Sequence, residues 1–176
     1  NAEFVVEQLD KGLIDFGIVF GQVDQTRYNS LKMPTKDIWG VLMRRDSALA
    51  QKETIAPEDL WDKPLIISHQ RNQGKELSAW MKRDISKLNV VATYNLLFNA
   101  SLLVDEGLGY AIGFDKIINI TENSSLCFRP LQPNIEIEMS LVWKKYQIFT
   151  KAAEQFIKKI EEMQAASPTD RGSAAL

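Results

Sequence analysis

The stretch DIWGVLMRRDSALAQKETIAPEDLWDKPLIIS, Asp37 to Ser68, decides the fold. Asp37 to Met43 is rich in β-branched, aromatic and long apolar residues and is predicted as a strand. Arg44, Arg45 and Asp46 end it with charge. Pro57 suits a first helical turn, where its missing N–H goes unused, and Glu58 and Asp59 suit the positive end of a helix dipole. Pro64 then opens the short apolar run Leu65 to Ile67, which reads as a buried strand. One strand leaves one folding unit, a connector crosses, and a new strand opens another.

The 176 residues suffice for one domain or two small lobes. Apolar content of 45% and charged content of 25% are ordinary for a globular chain. A net charge of -2 and a pI near 5.5 argue against a nucleic-acid surface within the chain, which needs clustered Lys and Arg. The single cysteine, Cys127, rules out an internal disulfide and fits a reducing compartment. No apolar run approaches the ~20 residues of a membrane span, and no signal peptide is visible. Asn1-Ala2 reads as the remnant of a cleaved tag, and residues 166–176 as a tail without apolar periodicity.

Along the chain, Phe4, Val5 and Leu9 share a helical face that Gly12 stops. Leu13 to Phe20 reads as a strand covered on both faces. The polar loop from Gly21 to Arg27 follows its carboxyl end, which makes Phe20, Gly21 and Gln22 candidates for a cleft wall. Tyr28 to Met33 reads as a short strand and Pro34-Thr35 as a turn. Leu77, Trp80, Met81, Ile85 and Leu88 fit a helical stripe, with a break before its last member left open, and Asn89 to Thr93 fits a strand. Asn95 is a candidate cap for a helix over Leu96 to Val104, apolar almost all round and therefore expected to be buried. Gly107 and Gly109 end it, and Leu108 to Ile112 reads as a buried strand. Asp115 to Ile120 is assigned to helix, Leu126 to Leu131 and Ile135 to Trp143 to strands. A last helical stripe runs through Ala153, Phe156, Ile157, Ile160 and Met163. Alternating strands and helices indicate α/β. Two candidate crossing strands, near 37–44 and 136–145, suggest one lobe inserted in another, with a ligand cleft between.

Chemistry is sparse. Ser68 and His69, the only histidine, are strand neighbours whose side chains diverge, so they form no catalytic pair, and no Gly-x-Ser-x-Gly elbow exists. His69 with Cys127 gives too few ligands for zinc. The glycines of Gly107-Leu-Gly109-Tyr-Ala-Ile-Gly113 have the wrong spacing for a dinucleotide loop and precede a strand instead of a helix. The expectation is no enzyme, no cofactor and no metal. Helix amino ends at Ser68–Lys75 and near Asn95 favour a small anion.

Four collinear segments resemble the effector-binding domain of LysR-type transcriptional regulators. The first joins Asp46-Ser-Ala-Leu-Ala50, Ile55-Ala-Pro-Glu-Asp-Leu60 and Pro64-Leu-Ile-Ile67. The others are Leu9-Asp-Lys-Gly-Leu-Ile-Asp-Phe-Gly-Ile18, Leu103-Val-Asp-Glu-Gly-Leu-Gly-Tyr-Ala-Ile112, and Leu141-Val-Trp-Lys144 before a closing helix. The resemblance implies two Rossmann-like lobes joined by two crossover strands, like a type 2 periplasmic binding protein. The first lobe falls on 3–43 and 144–165, the second on 44–143. It implies ligand contacts from Ser68, His69, Asn95, Gly113 and Phe114 in the second lobe and from Phe20 and Gly21 in the first. Phe114 stands where many members have proline. The family's first lobe normally opens with a strand, a helix and a strand ahead of the helix near Phe4. The expectation is therefore an incomplete first lobe whose apolar surface over Leu13–Phe20 drives self-association. The implied partners are a small-molecule effector, a second copy in a homodimer or tetramer, and DNA only through a helix-turn-helix domain outside this chain. Membrane binding is not expected, and the implied location is cytoplasmic. A solute-binding receptor of a transport system, which shares the fold, is the alternative.

Overall fold

The computed structural model describes residues 2–21, 23–69 and 77–166. Two compact units result: Asp37–Ile137, and Ala2–Lys36 with the chain from Glu138 onward. The boundaries expected at 44 and 143 lie seven and six residues further along the same strands. An uninterrupted strand carries no punctuation to mark where it changes unit.

In the Asp37–Ile137 unit, the carboxyl-terminal part of β2 (Tyr28–Arg44) pairs antiparallel with β5 (Tyr110–Phe114) and, on its other side, with β6 (Leu126–Pro130). β3 (Leu65–Ser68) lies parallel to both β5 and β4 (Val90–Tyr94). Parallel neighbours need a crossover. Residues 77–88 supply one and the helix Leu97–Asp105 supplies the next. Leu97, Ala100 and Val104 of that helix bury against Leu42, Ile66 and Ala111 of the sheet. Gly107, at φ +79°, stops the helix in the left-handed conformation open to glycine.

The connector after β2 is stitched to β6. Ile55 N–H donates to Pro130 O (2.9 Å) and Gln132 N–H to Ile55 O (2.8 Å). The Arg129 guanidinium donates to Lys52 O, Ala50 O and Phe128 O at 2.7–2.9 Å. The turn predicted from Pro57 is a short 3-10 helix, Pro57–Leu60, in which Asp59 reaches back to accept from Ala56 N–H at 3.0 Å. Trp61 donates to Met81 O and Trp80 to Pro133 O, and Arg83 lies 3.8 Å over the Trp61 ring.

In the other unit, the helix Ala2–Asp10 buries Leu9 beside Val19, Tyr28 and Val142. β1 (Gly17–Phe20) pairs antiparallel with β7 (Glu136–Lys144). Phe16 stacks on Phe149 (5.2 Å) and meets Phe156 and Trp143, at the start of the closing helix Lys151–Ala166. Tyr28 Oη and Arg27 both donate to the Asp10 carboxylate at 2.6 Å.

Several expectations are corrected. Leu13 to Phe20 is a strand only from Gly17 and its neighbour β7 is antiparallel; Leu13, ahead of the strand, and Ile18, on its uncovered face, are exposed. Pro34 makes no turn: the chain runs extended from Tyr28 to Arg44, a backbone region that proline shares. The 77–88 stripe breaks after Met81, where Lys82 takes φ +53°. Asn95 does not cap the following helix; Leu96 holds that position, without a side-chain cap bond. That helix is buried on one face only, with Phe98 and Leu102 more than half exposed, since a single sheet face covers it. Asp115–Ile120 is not helical; Lys116 at φ +61° interrupts it, and Ile118 and Ile120 pack as loop residues on the core. Gln22, the helix amino end expected within Ser68–Lys75 and the 167–176 part of the tail lie outside the described residues.

A Cβ at Gly40 meets the Phe128 ring at 2.1 Å and Arg129 O at 2.5 Å, so Gly40→Ala lowers stability by about 1–3 kcal/mol, read as an earlier urea midpoint by circular dichroism. Burial, then the hydrogen bond to Asp10 and its negative charge, push the Tyr28 hydroxyl from 10.0 up to about 12. The native state holds this proton longer than the unfolded chain, so its contribution is intact below pH 10 and is lost as pH rises toward 12. Tyr28→Phe therefore shows a shallower alkaline loss of melting temperature than the parent chain.

Candidate functional site

Because β3, β4 and β5 run parallel, their carboxyl ends, at Ser68, Tyr94 and Phe114, lie along one edge of the sheet. That is the edge at which open α/β sheets bind ligands. The backbone closes it tightly. His69 N–H donates to Tyr94 O (2.7 Å), and Tyr94 Oη donates to Ile112 O (2.6 Å). Burial pushes the Tyr94 hydroxyl well above the usual tyrosine range, so it stays a donor.

Among its described residues this unit holds a smaller and a larger cavity. The smaller, of about 280 Å³, is lined by His69, Thr93, Tyr94 and Asn95 from the strand ends and by Asn99, Ala100 and Leu103 from the helix Leu97–Asp105. Thr93, Asn95, Asn99 and His69 are exposed, so their polar groups face solvent and are available to a ligand. The larger, of about 580 Å³, is apolar. Leu42, Leu97, Phe114 and Phe128 line it from the elements, and residues 116–120 from the loop after β5.

The sequence-expected residues divide accordingly. His69 and Asn95 come together in the smaller cavity. Ser68, half-buried, precedes His69 and by strand alternation faces the other way. Phe114 is buried, packs edge-on against Trp39 (4.6 Å between centroids) and lines the larger cavity instead. Gly113 lines neither of these two cavities: a Cβ there meets Leu97 and Tyr94 Oη at 2.9 Å, so its lack of a side chain makes room for those two groups. Phe20 and Gly21 belong to the other unit. Phe20 ends β1, and Gly21, at φ +76°, donates its N–H to Glu138 O at 3.1 Å.

Sequence reasoning missed Thr93 and Asn99. Asn99, four residues after Asn95, sits in a run that reads as apolar almost all round. It also missed the loop isoleucines, because that loop was read as helix. Near them Asp115 accepts from Ile38 N–H (2.9 Å) and pairs with Lys116 (3.1 Å). Burial, and next the Asp115 charge, raise the Asp37 carboxyl above its ordinary range. Among the described residues no group of three or more His, Cys, Asp or Glu is placed to hold a metal ion, and no helix is long and apolar enough to cross a membrane.

Comparison with known proteins gives a consistent result. The effector-binding domain of QuiR in complex with shikimate is similar in fold, with a TM-score of 0.79, 16% identity, and 92% of this chain and 77% of that one covered. The Synechocystis PCC6803 CcmR regulatory domain in complex with 2-PG gives a TM-score of 0.78 at 16% identity, covering 96% and 82%. A Shigella flexneri protein described as the uncharacterized HTH-type transcriptional regulator YfeR is 25% identical over 155 residues, which are 86% of this chain and 49% of that protein. The chain thus spans about half the length of this curated relative. The family model of the LysR substrate binding domain matches residues 1–165, and the chain belongs to that family.

Proposed function

We propose that the chain is the ligand-sensing part of a LysR-type transcription regulator. It binds a small, negatively charged metabolite at the carboxyl ends of β3 and β4. The observation that carries the reading is the cavity joining His69 and Asn95 beside the amino end of the helix Leu97–Asp105. That helix opens without a side-chain cap bond, and uncapped N–H groups together with the helix dipole favour an anion. The QuiR and CcmR domains, similar in fold, were solved with small molecules bound, which supports a sensing role. The expected seat of the effector in a cleft between lobes is part of the proposal. So are a cytoplasmic location, a homodimer or tetramer, and action on DNA through a helix-turn-helix domain elsewhere in the protein. Effector binding acts by favouring one arrangement of the regulator over another, limited by its difference in affinity for the two. The reading assigns no reaction to the chain.

The test is isothermal titration of a panel of small carboxylates and phosphates, starting with shikimate and with neutral counterparts included. At least one anion binds saturably. Each of His69→Ala and Asn95→Ala weakens it about fivefold, the loss of one hydrogen bond of about 1 kcal/mol, with an unchanged circular dichroism spectrum. Binding confined to neutral compounds, or indifferent to both substitutions, overturns the reading.

A further inference from the structure

The larger cavity is chemically unlike the site above. Gly40 and Gly113 face each other across β2 and β5. The Phe128 ring lies over the first and Leu97 over the second, since a Cβ at either glycine runs into those side chains. Both side chains line the cavity, with Leu42 beneath them. Ile117, Ile118 and Ile120 cover it from the loop, and Ile117 remains 45% exposed at its mouth. About 580 Å³ of space lies within the range of small-molecule sites. An apolar space of that size gains by excluding water from a matching apolar body.

The polar groups at the rim decide the charge. Lys116 and Asn119 are the polar side chains among its lining residues. The Lys116 ammonium is already paired with Asp115 at 3.1 Å, and the Asp37 carboxyl lies close enough to be raised by the same Asp115 charge. One cation against these carboxyls leaves no net positive field to attract an anion. An ammonium has three donors, however, so Lys116 keeps N–H groups to offer alongside the Asn119 amide.

We propose that the cavity between Phe128, Leu97 and the 116–120 loop is a second ligand site, for an uncharged molecule with an aliphatic or aromatic body and one hydrogen-bond acceptor oxygen. The body fills the space over the paired glycines, and the oxygen accepts from Lys116 or Asn119. The site is separate from the His69–Asn95 cavity in its lining and takes a neutral ligand where that cavity takes an anion.

The test uses methyl heptyl ketone as the neutral probe and nonanoate as its anionic counterpart. Each is titrated into the chain carrying isotopically labelled isoleucine methyl groups. The ketone shifts the Ile117, Ile118 and Ile120 resonances saturably and leaves Ile157 in place. Ile117→Gln, at an exposed position, weakens that binding at least about threefold while melting as the parent does. His69→Ala leaves it unchanged, which separates this site from the effector site. Absence of a saturable shift up to the ketone's solubility overturns the proposal, as does equal binding to the Ile117 variant or tighter binding of nonanoate.

Discussion

The close approach at Gly40 is the constraint on which the Asp37–Ile137 unit depends. At this residue β2 is paired on both sides, to Gly113 of β5 and to Pro130 of β6, and the Phe128 ring occupies the space a side chain would need. A strand repeats its facing every two residues, so a slip of one position would bring Trp39 or Val41 to this point and turn their apolar partners outward. The tight spot therefore fixes register, and register fixes the rest. Trp39 meets Phe114, Leu42 meets the helix that follows β4, and the carboxyl ends of three parallel strands come level.

The strand-and-helix order of this unit was largely legible in the sequence. Buried strands such as Leu65–Ser68 and Tyr110–Phe114 are short apolar runs bounded by proline, glycine or charge, a pattern that reports burial on both faces. What was not legible depends on neighbours distant in the chain. Pro34 reads as a turn locally but is carried straight by the strand around it. The helix with Phe98 and Leu102 looks buried by composition, and its exposed face follows from having one sheet on one side. Of the expected site residues, His69 and Asn95 are found lining one cavity because each follows a parallel strand, an order visible in the sequence. Phe114 was placed at the correct strand end, yet its side chain packs toward Trp39, a choice made by cross-strand packing that no local pattern encodes.

Electrostatics separates the two cavities more sharply than shape does. Around His69 and Asn95, Thr93 and Asn99 add further polar side chains, and an uncapped helix end adjoins them. Around Ile117 it is apolar, and the one cation is already engaged. The connector that precedes β3 contributes to neither. Its geometry is held by an arginine whose planar fork meets three carbonyl oxygens at once, a task that a lysine with a single point charge performs less well.

The tryptophans have a practical consequence. Trp39, Trp61 and Trp80 all fall in the Asp37–Ile137 unit, each packed, hydrogen-bonded or under a guanidinium, whereas Trp143 stands in the other. Intrinsic emission is therefore a lopsided witness. It follows the melting of one unit closely and can pass over the loosening of the other, so a single smooth fluorescence trace is weak evidence that the whole chain unfolds in one step.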